Sequence, residues 1–160
     1  MSGPVGTLAS GEPVRILAVA SGGGHWIQML RLRPAFAGYQ VTYVTVGPCD
    51  ASILGGAKLK LVSDANARTP FRMAWLLLRM AWIVLTVQPH VVITTGAAPG
   101  YWAIRFGRWL GAKTVFVDSI ANAEKLSMSA RLSLKKAHVT LTQWSDLARP
   151  EGPEFWGAVV

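Results

Sequence analysis

Ser21-Gly22-Gly23-Gly24-His25 places an imidazole behind three glycines, between an apolar run that reads as a strand and a segment that reads as a helix. Missing side chains let a ligand's phosphates approach the backbone, and the N–H groups that open a helix are donors for an anion. Imidazole ionises near neutrality, so His25 is open to two chemical roles, general base or phosphate donor, and to a structural one as a helix cap. The glycines are open to being no more than a tight turn. Ile27 stands where GxGxxG needs glycine, and no Lys-Ser/Thr pair follows, so neither a nicotinamide cofactor nor a P-loop nucleotide is expected.

Two further stretches carry polar groups that could face the same place. Asp118 and Ser119 follow the apolar run Thr114 to Val117, offering a carboxylate and a hydroxyl to a sugar, with Asp118 open to orientation, to base catalysis or to helix capping. Thr94-Thr95-Gly96-Ala97-Ala98-Pro99-Gly100 puts small residues after another strand, Gly96 among them, and sets proline in the first turn of the helix that follows. Cys49 has no basic neighbour to activate it and is expected to be an inert thiol. His90 and His138 flank strands without ligand spacing, so no metal site and no cofactor are expected.

These residues need a scaffold, and the pattern around them supplies one. Apolar runs alternate with longer periodic segments, as in βαβ units around a parallel sheet. Strands are expected at Arg15 to Ala20, Val41 to Val46, near Lys60 to Ser63, Val91 to Thr94, Thr114 to Val117 and Val139 to Thr142. Helices are expected near Trp26 to Leu32, Phe71 to Val87, Gly100 to Leu110 and Leu126 to Lys135, with a brief last strand at Phe155 to Val160. The fold class is therefore α/β, one Rossmann-like domain over residues 15–160 behind a loose leader, residues 1–14. Ligands of such sheets bind at the carboxyl ends of the strands, where the strand order reverses, and the loops above sit there.

The helix expected at Phe71 to Val87 is apolar except for a stripe of Arg72, Trp75, Arg79 and Trp82, whose spacings of three, four and three align them. A helix apolar almost all round is either buried or against lipid, and burying two unpaired arginines is costly. Trp at headgroup depth beside Arg satisfies both constraints. Trp102, Arg105 and Trp109 repeat the device on the next helix, with Arg108 adjacent. The alternative is that the arginines pair with carboxylates and the tryptophans pack inside. A true crossing is not expected, because the apolar stretch is at the short limit and carries both arginines.

Composition agrees with a membrane surface. The 160 residues carry a net charge of +8 but are only 15% charged and 51% hydrophobic, with seven Trp and a mean hydropathy of +0.34. Such a chain is not disordered, and it is long enough for one lobe but not for two full α/β domains. Its basic residues are dispersed among aliphatics, without a helix-turn-helix, zinc-finger or RNA-binding signature, so nucleic acid is not the expected partner. One cysteine permits no intramolecular disulfide and fits the cytoplasm.

Ser21-Gly-Gly-Gly-His25 with Met29-Leu30, Asp118-Ser119, Leu126-Ser-Met-Ser129, Gln143-Trp-Ser-Asp-Leu147 and Phe155-Trp-Gly157 together resemble the asparagine-linked glycosylation protein fourteen family and its bacterial PssD-type relatives. The likeness runs from about residue 15 onward. It implies the acceptor-side half of a two-chain GT-B glycosyltransferase, docked on the cytoplasmic face of a membrane and paired with a donor-binding subunit that holds the UDP-sugar. MurG is similar in plan in its N-terminal lobe. By that likeness Gly22 to His25, with Gly96 and Ser119, would meet the pyrophosphate of a polyprenyl-pyrophosphate-linked saccharide, and the Arg/Trp stripes would meet an anionic bilayer. The chain departs from the family's usual residues at Asp118, where Glu is common, at Asn122, where a basic residue is common, and at Ala130, where Gly is common.

The expected function is transfer of N-acetylglucosamine or glucuronic acid from a UDP-sugar to that acceptor, with His25 and Asp118 as the catalytic candidates and no activity from the isolated chain. The alternative from another class is a non-catalytic membrane adaptor that recruits the donor-binding subunit.

Overall fold

The computed structural model describes residues 6–65 and 68–159. The chain runs β1 (Arg15–Val19), α1 (Gly24–Leu32), β2 (Gln40–Val46), β3 (Lys58–Val62), α2 (Pro70–Val87), β4 (Val91–Thr94), α3 (Ala97–Trp109), β5 (Lys113–Val117), α4 (Met128–Ser133), β6 (Val139–Thr142) and β7 (Glu154–Phe155). All seven strands are parallel, in the order β3-β2-β1-β4-β5-β6-β7. The order reverses between β1 and β4, and that junction carries both the glycine elbow and the Thr95 loop.

The period of two in the strands builds two cores. In β1, Leu17 and Val19 face one side while Ile16 and Ala18 face the other, and all four are buried. One face packs against α2 and α3, with Leu76, Met80, Ile83, Val84 and Ile104 fully buried. The opposite face packs against α1 through Trp26 and Met29. Helix α3 lies very close to β4 because two of its residues lack side chains: a Cβ at Gly107 would come within 2.5 Å of Val92 Cγ2, and one at Gly100 would overlap Thr94 Oγ1. Their spacing of seven puts both on one helix face.

Boundaries differ from the sequence expectation in ways that have physical causes. Helix α1 opens two residues early, at Gly24, which brings His25 into its first turn. Helix α3 opens three residues early, because Gly96 and Ala97 take positive φ, 130° and 65°, and turn the chain directly from β4 into the helix. Strand β3 is Lys58–Val62 rather than Lys60 to Ser63, and β7 is confined to Glu154–Phe155. Helix α4 is trimmed to Met128–Ser133 by Ser127, whose Oγ accepts from Ala130 N at 3.0 Å as an N-cap. Between residues 6 and 14, Thr7 bridges Pro13 in antiparallel fashion, and Gln40 N donates to Val14 O at 3.0 Å, joining the segment to β2.

Candidate functional site

The elbow is built by the end of β1 and the start of α1. Gly23 sits at φ +64°, a left-handed conformation that glycine adopts without steric cost, and a Cβ on Gly22 would press to 3.3 Å from the carbonyl oxygen of Val46. Trp26 fixes the rotation of α1: its buried indole meets Tyr43 edge-to-face with centroids 5.9 Å apart. Neither α1 nor α3 has a side-chain cap or an acidic residue in its first turn. Two helix N-termini with free donor ends therefore open at adjacent strands β1 and β4, an arrangement that favours an anion.

His25 joins the two loops. Its Nδ1 lies 2.7 Å from the carbonyl oxygen of Thr95, and Thr95 Oγ1 donates to the carbonyl oxygen of His25, also at 2.7 Å. The ring rests over Gly96, where an added Cβ would be 2.8 Å from its Cε1. Gly96 is itself held by its N–H, which donates to Thr94 Oγ1 at 3.1 Å.

Asp118 lies at the end of β5 and is 1% exposed. Its Oδ1 accepts from Ser119 N and Asn122 Nδ2, each at 2.9 Å, and its Oδ2 accepts from Ser127 N at 3.0 Å. Of the roles open to it, orientation is the one this geometry supports, since three donors already occupy the buried carboxylate. The Asp118 carbonyl oxygen accepts from two buried glutamines, Gln28 Nε2 at 3.2 Å and Gln143 Nε2 at 2.9 Å, and Gln143 Oε1 accepts from Val159 N at 2.7 Å. Asp118 thus ties α1, the loop before α4 and the end of β6 together, and Gln143 joins the last described residues to them. Ser119 is half-buried beside it, its Oγ accepting from Ala121 N at 3.3 Å.

The remaining polar candidates are structural. His90 Nδ1 accepts from Arg15 N at 2.9 Å and His138 Nδ1 from Thr114 N at 3.2 Å, so each pins the amino-terminal edge of a strand, the opposite end of the sheet from His25. Burial and the neighbouring Asp50 both push the Cys49 thiol up, which keeps it from forming the reactive thiolate. A hollow of about 710 Å³ also lies away from the elbow, between Pro34, Gln40, Gly56 and Lys58.

The outer face of α2 is apolar and open. Phe71 is 90% exposed, Trp75 and Trp82 each 61%, and Trp109 on α3 82%, while Leu78 and Leu85 continue the same surface. Arg72 and Arg79 are exposed among them and form no ion pair among the described residues. Helix α2 is long and apolar enough to cross a membrane. Its inner face, however, is the core of the domain, and a crossing would strip that face from the sheet. The second stripe is less uniform. Arg105 is exposed and donates to Tyr101 Oη at 3.2 Å, Trp102 is half-buried and stacks on Phe106 with centroids 6.0 Å apart, and Arg108 donates to Lys136 O at 3.1 Å. Trp102 and Arg108 thus serve packing within the domain.

Fold and site together define one Rossmann-like lobe of the GT-B type, with an anion-favouring elbow at the strand-order reversal. MurG from Acinetobacter baumannii shares this fold at a TM-score of 0.72 and 13% identity, over 89% of this chain and 45% of MurG. A UDP-N-acetylglucosamine 2-epimerase from Rickettsia bellii follows at 0.65 and 12%, over 91% and 45%. The chain spans less than half the length of either. A curated relative from Eremothecium gossypii, the UDP-N-acetylglucosamine transferase subunit ALG14, is 27% identical over 94% of this chain and 82% of its own length. The profile of the Alg14-like oligosaccharide biosynthesis proteins matches residues 57–159, and the chain belongs to that family. That match takes in Thr95, Gly96 and Asp118, while the elbow precedes it.

Sequence reasoning gave no role to Gln28, Gln143, Gly100 or Gly107, although Gln143 stands in the family motif and Gly100 closes the loop of small residues. Gln143 carried a signal, as an amide at the end of an apolar run. The other three declare themselves only through what lies opposite them in space.

Proposed function

We propose that this chain is the acceptor-side subunit of a two-chain glycosyltransferase, docked peripherally on the cytoplasmic face of an anionic membrane. It presents a polyprenyl-pyrophosphate-linked saccharide to a UDP-sugar held by a separate donor-binding subunit. N-acetylglucosamine is the first candidate sugar, on the name of the fungal relative, and glucuronic acid the second. The observation that carries the reading is His25, locked between two uncapped helix N-termini at the strand-order reversal of a single GT-B lobe. Membership of an oligosaccharide biosynthesis family supports it.

In this scheme the amides at Gly22 to His25 meet the acceptor pyrophosphate, with Gly96 and Ser119 lining its bed. A saccharide hydroxyl attacks the anomeric carbon of the donor, forming the new C–O bond as the bond to UDP breaks with inversion. His25 takes the hydroxyl proton, the partner neutralises the departing diphosphate, and Asp118 holds the wall of the cleft. Arg72, Trp75, Arg79, Trp82, Arg105 and Trp109 face the bilayer, with Trp102 supporting them from behind. Each basic residue contributes about 1 kcal/mol towards an anionic leaflet, enough together for reversible docking.

The test is reconstitution of the chain with its donor-binding partner, UDP-N-acetylglucosamine and a synthetic polyprenyl-pyrophosphate saccharide, with product read by mass spectrometry. The pair transfers sugar, the chain alone does not, and His25→Ala lowers turnover by at least about a hundredfold, the usual worth of a general base. Robust transfer by the chain alone overturns the two-chain scheme. Full activity of both His25→Ala and Asp118→Asn in the complex establishes the adaptor alternative. On vesicles rich in anionic lipid, Arg72→Glu with Arg79→Glu removes about four charge units of attraction, roughly a thousandfold in binding. Unchanged, salt-insensitive sedimentation refutes the docking surface.

A further inference from the structure

The three histidines of this chain are held in two different ways. His90 accepts the Arg15 N–H at Nδ1 and has the Arg15 guanidinium Nη2 3.3 Å from its Nε2, so donors face both of its ring nitrogens; His138 accepts the Thr114 N–H at Nδ1, and an amide nitrogen can only donate, so in its neutral form it carries the ring proton on Nε2. His25 is the reverse. Its Nδ1 faces the carbonyl oxygen of Thr95 at 2.7 Å, and a carbonyl can only accept, so the proton sits on Nδ1 and the lone pair on Nε2.

What sets this tautomer is the turn that faces the ring. Thr95 is fully buried, and its hydroxyl donates to the carbonyl oxygen of His25, closing a reciprocal pair between residues seventy positions apart. Gly96 leaves the space the imidazole fills, since a Cβ there would lie 3.0 Å from Nδ1 and 2.8 Å from Cε1. The same turn holds Gly96 at φ +130° and the non-glycine Ala97 at φ +65°. Strained backbone of this kind persists where the surroundings over-determine it, and it concentrates at functional sites.

We propose that Thr95 and Gly96 are positioning residues that hold His25 as its Nδ1–H tautomer and so present Nε2, the ring atom with no hydrogen-bond partner among the described residues, as the proton acceptor at the elbow. The proposal rests on the reading that His25 meets the acceptor substrate, and it supplies the reason His25 can act there as a base. A His held on the opposite tautomer would offer a donor at Nε2 instead.

The test uses the full chain labelled with 15N-histidine, with ring tautomers read from long-range proton–nitrogen correlations above pH 8. His25 is expected as a single Nδ1–H species with an exchange-protected Hδ1, while His138 shows Nε2–H in the same spectrum. Thr95→Val keeps the shape and the carbonyl but removes the hydroxyl bond to His25 O that clamps the carbonyl against the ring, so His25 becomes a mixture of tautomers with an unprotected Hδ1, and Thr95→Ser restores the single species. A wild-type His25 carrying its proton on Nε2 overturns the proposal, and so does a Thr95→Val spectrum identical to wild type. If Thr95→Val does not fold, the Hδ1 protection of the wild-type chain and the Thr95→Ser spectrum decide: loss of the single species in either overturns it. Inorganic pyrophosphate added to the wild-type chain should shift the His25 Nε2 signal. If it does not while the tautomer stands, the substrate reading fails and the positioning role survives.

Discussion

Replacing Asp118 by Asn changes one atom and tests whether that carboxylate is structural. The side chain is 1% exposed and serves three donors: Ser119 N, Asn122 Nδ2 and Ser127 N. An asparagine oriented to keep its oxygen towards Ser119 and Asn122 must turn its NH2 group towards Ser127 N, now 3.0 Å away, donor against donor. One charge-assisted bond is lost, worth about 1.5–3 kcal/mol, and a backbone N–H is left without an acceptor at the cap of α4. The two surviving bonds weaken as their acceptor loses its charge. We expect a destabilisation of about 3 kcal/mol, which for a domain of this size lowers Tm by roughly 6–12 °C. Urea unfolding followed by circular dichroism should show a lower midpoint at unchanged slope, and hydrogen exchange should accelerate first at Ser127. An Asp118→Asn chain with wild-type midpoint and Tm but no activity in the assembled enzyme would refute the reasoning, because it would mark the carboxylate as a reacting group.

Two further outcomes follow from the packing and from one histidine. Gly107→Ala drives a methyl to 2.5 Å from Val92 Cγ2, so α3 must lift from β4; a loss of about 1–3 kcal/mol is expected by urea unfolding, against a near-neutral or stabilising change if the helix were free to accept alanine. The His138 pKa is lowered, first by partial burial and then by the charges of Arg108 and Lys113, and its Nδ1 lone pair is engaged by Thr114. The unfolded chain then binds the proton more readily than the folded one, so this contribution is full above about pH 6.5 and is lost as pH falls through the depressed folded value. Stability measured from pH 8 to pH 5 should fall more steeply for wild type than for His138→Gln, and parallel curves would contradict the assignment.

Much of the fold was legible because its cause is local. Runs such as Val91 to Thr94 and Val139 to Thr142 are short, β-branched and bounded by turn residues, and they are strands from the first residue to the last. The exposed stripe of α2 was legible because a helix has a fixed period, and two arginines among aliphatics mark the face that cannot be buried without a partner. Helix ends were less so. The start of α3 depends on Ala97 taking a left-handed conformation that alanine does not choose on its own, so no propensity could place it. Trp102 and Trp109 share a spacing and a chemistry, yet one packs on Phe106 and the other stands 82% exposed, a difference that spacing along the helix does not carry.

The amino acids by themselves determined the α/β alternation, the glycine elbow ahead of His25 and the family, since all three depend on the order and type of neighbours along the chain. Only the tertiary structure decided what His25 and Asp118 can do. The partners that fix them lie seventy residues away at Thr95 and, for Asp118, as near as Ser119 and as far as Gln28. A tautomer and a filled carboxylate are properties of opposed donors and acceptors, and the sequence places those opposite one another only once the sheet has brought β1, β4 and β5 side by side.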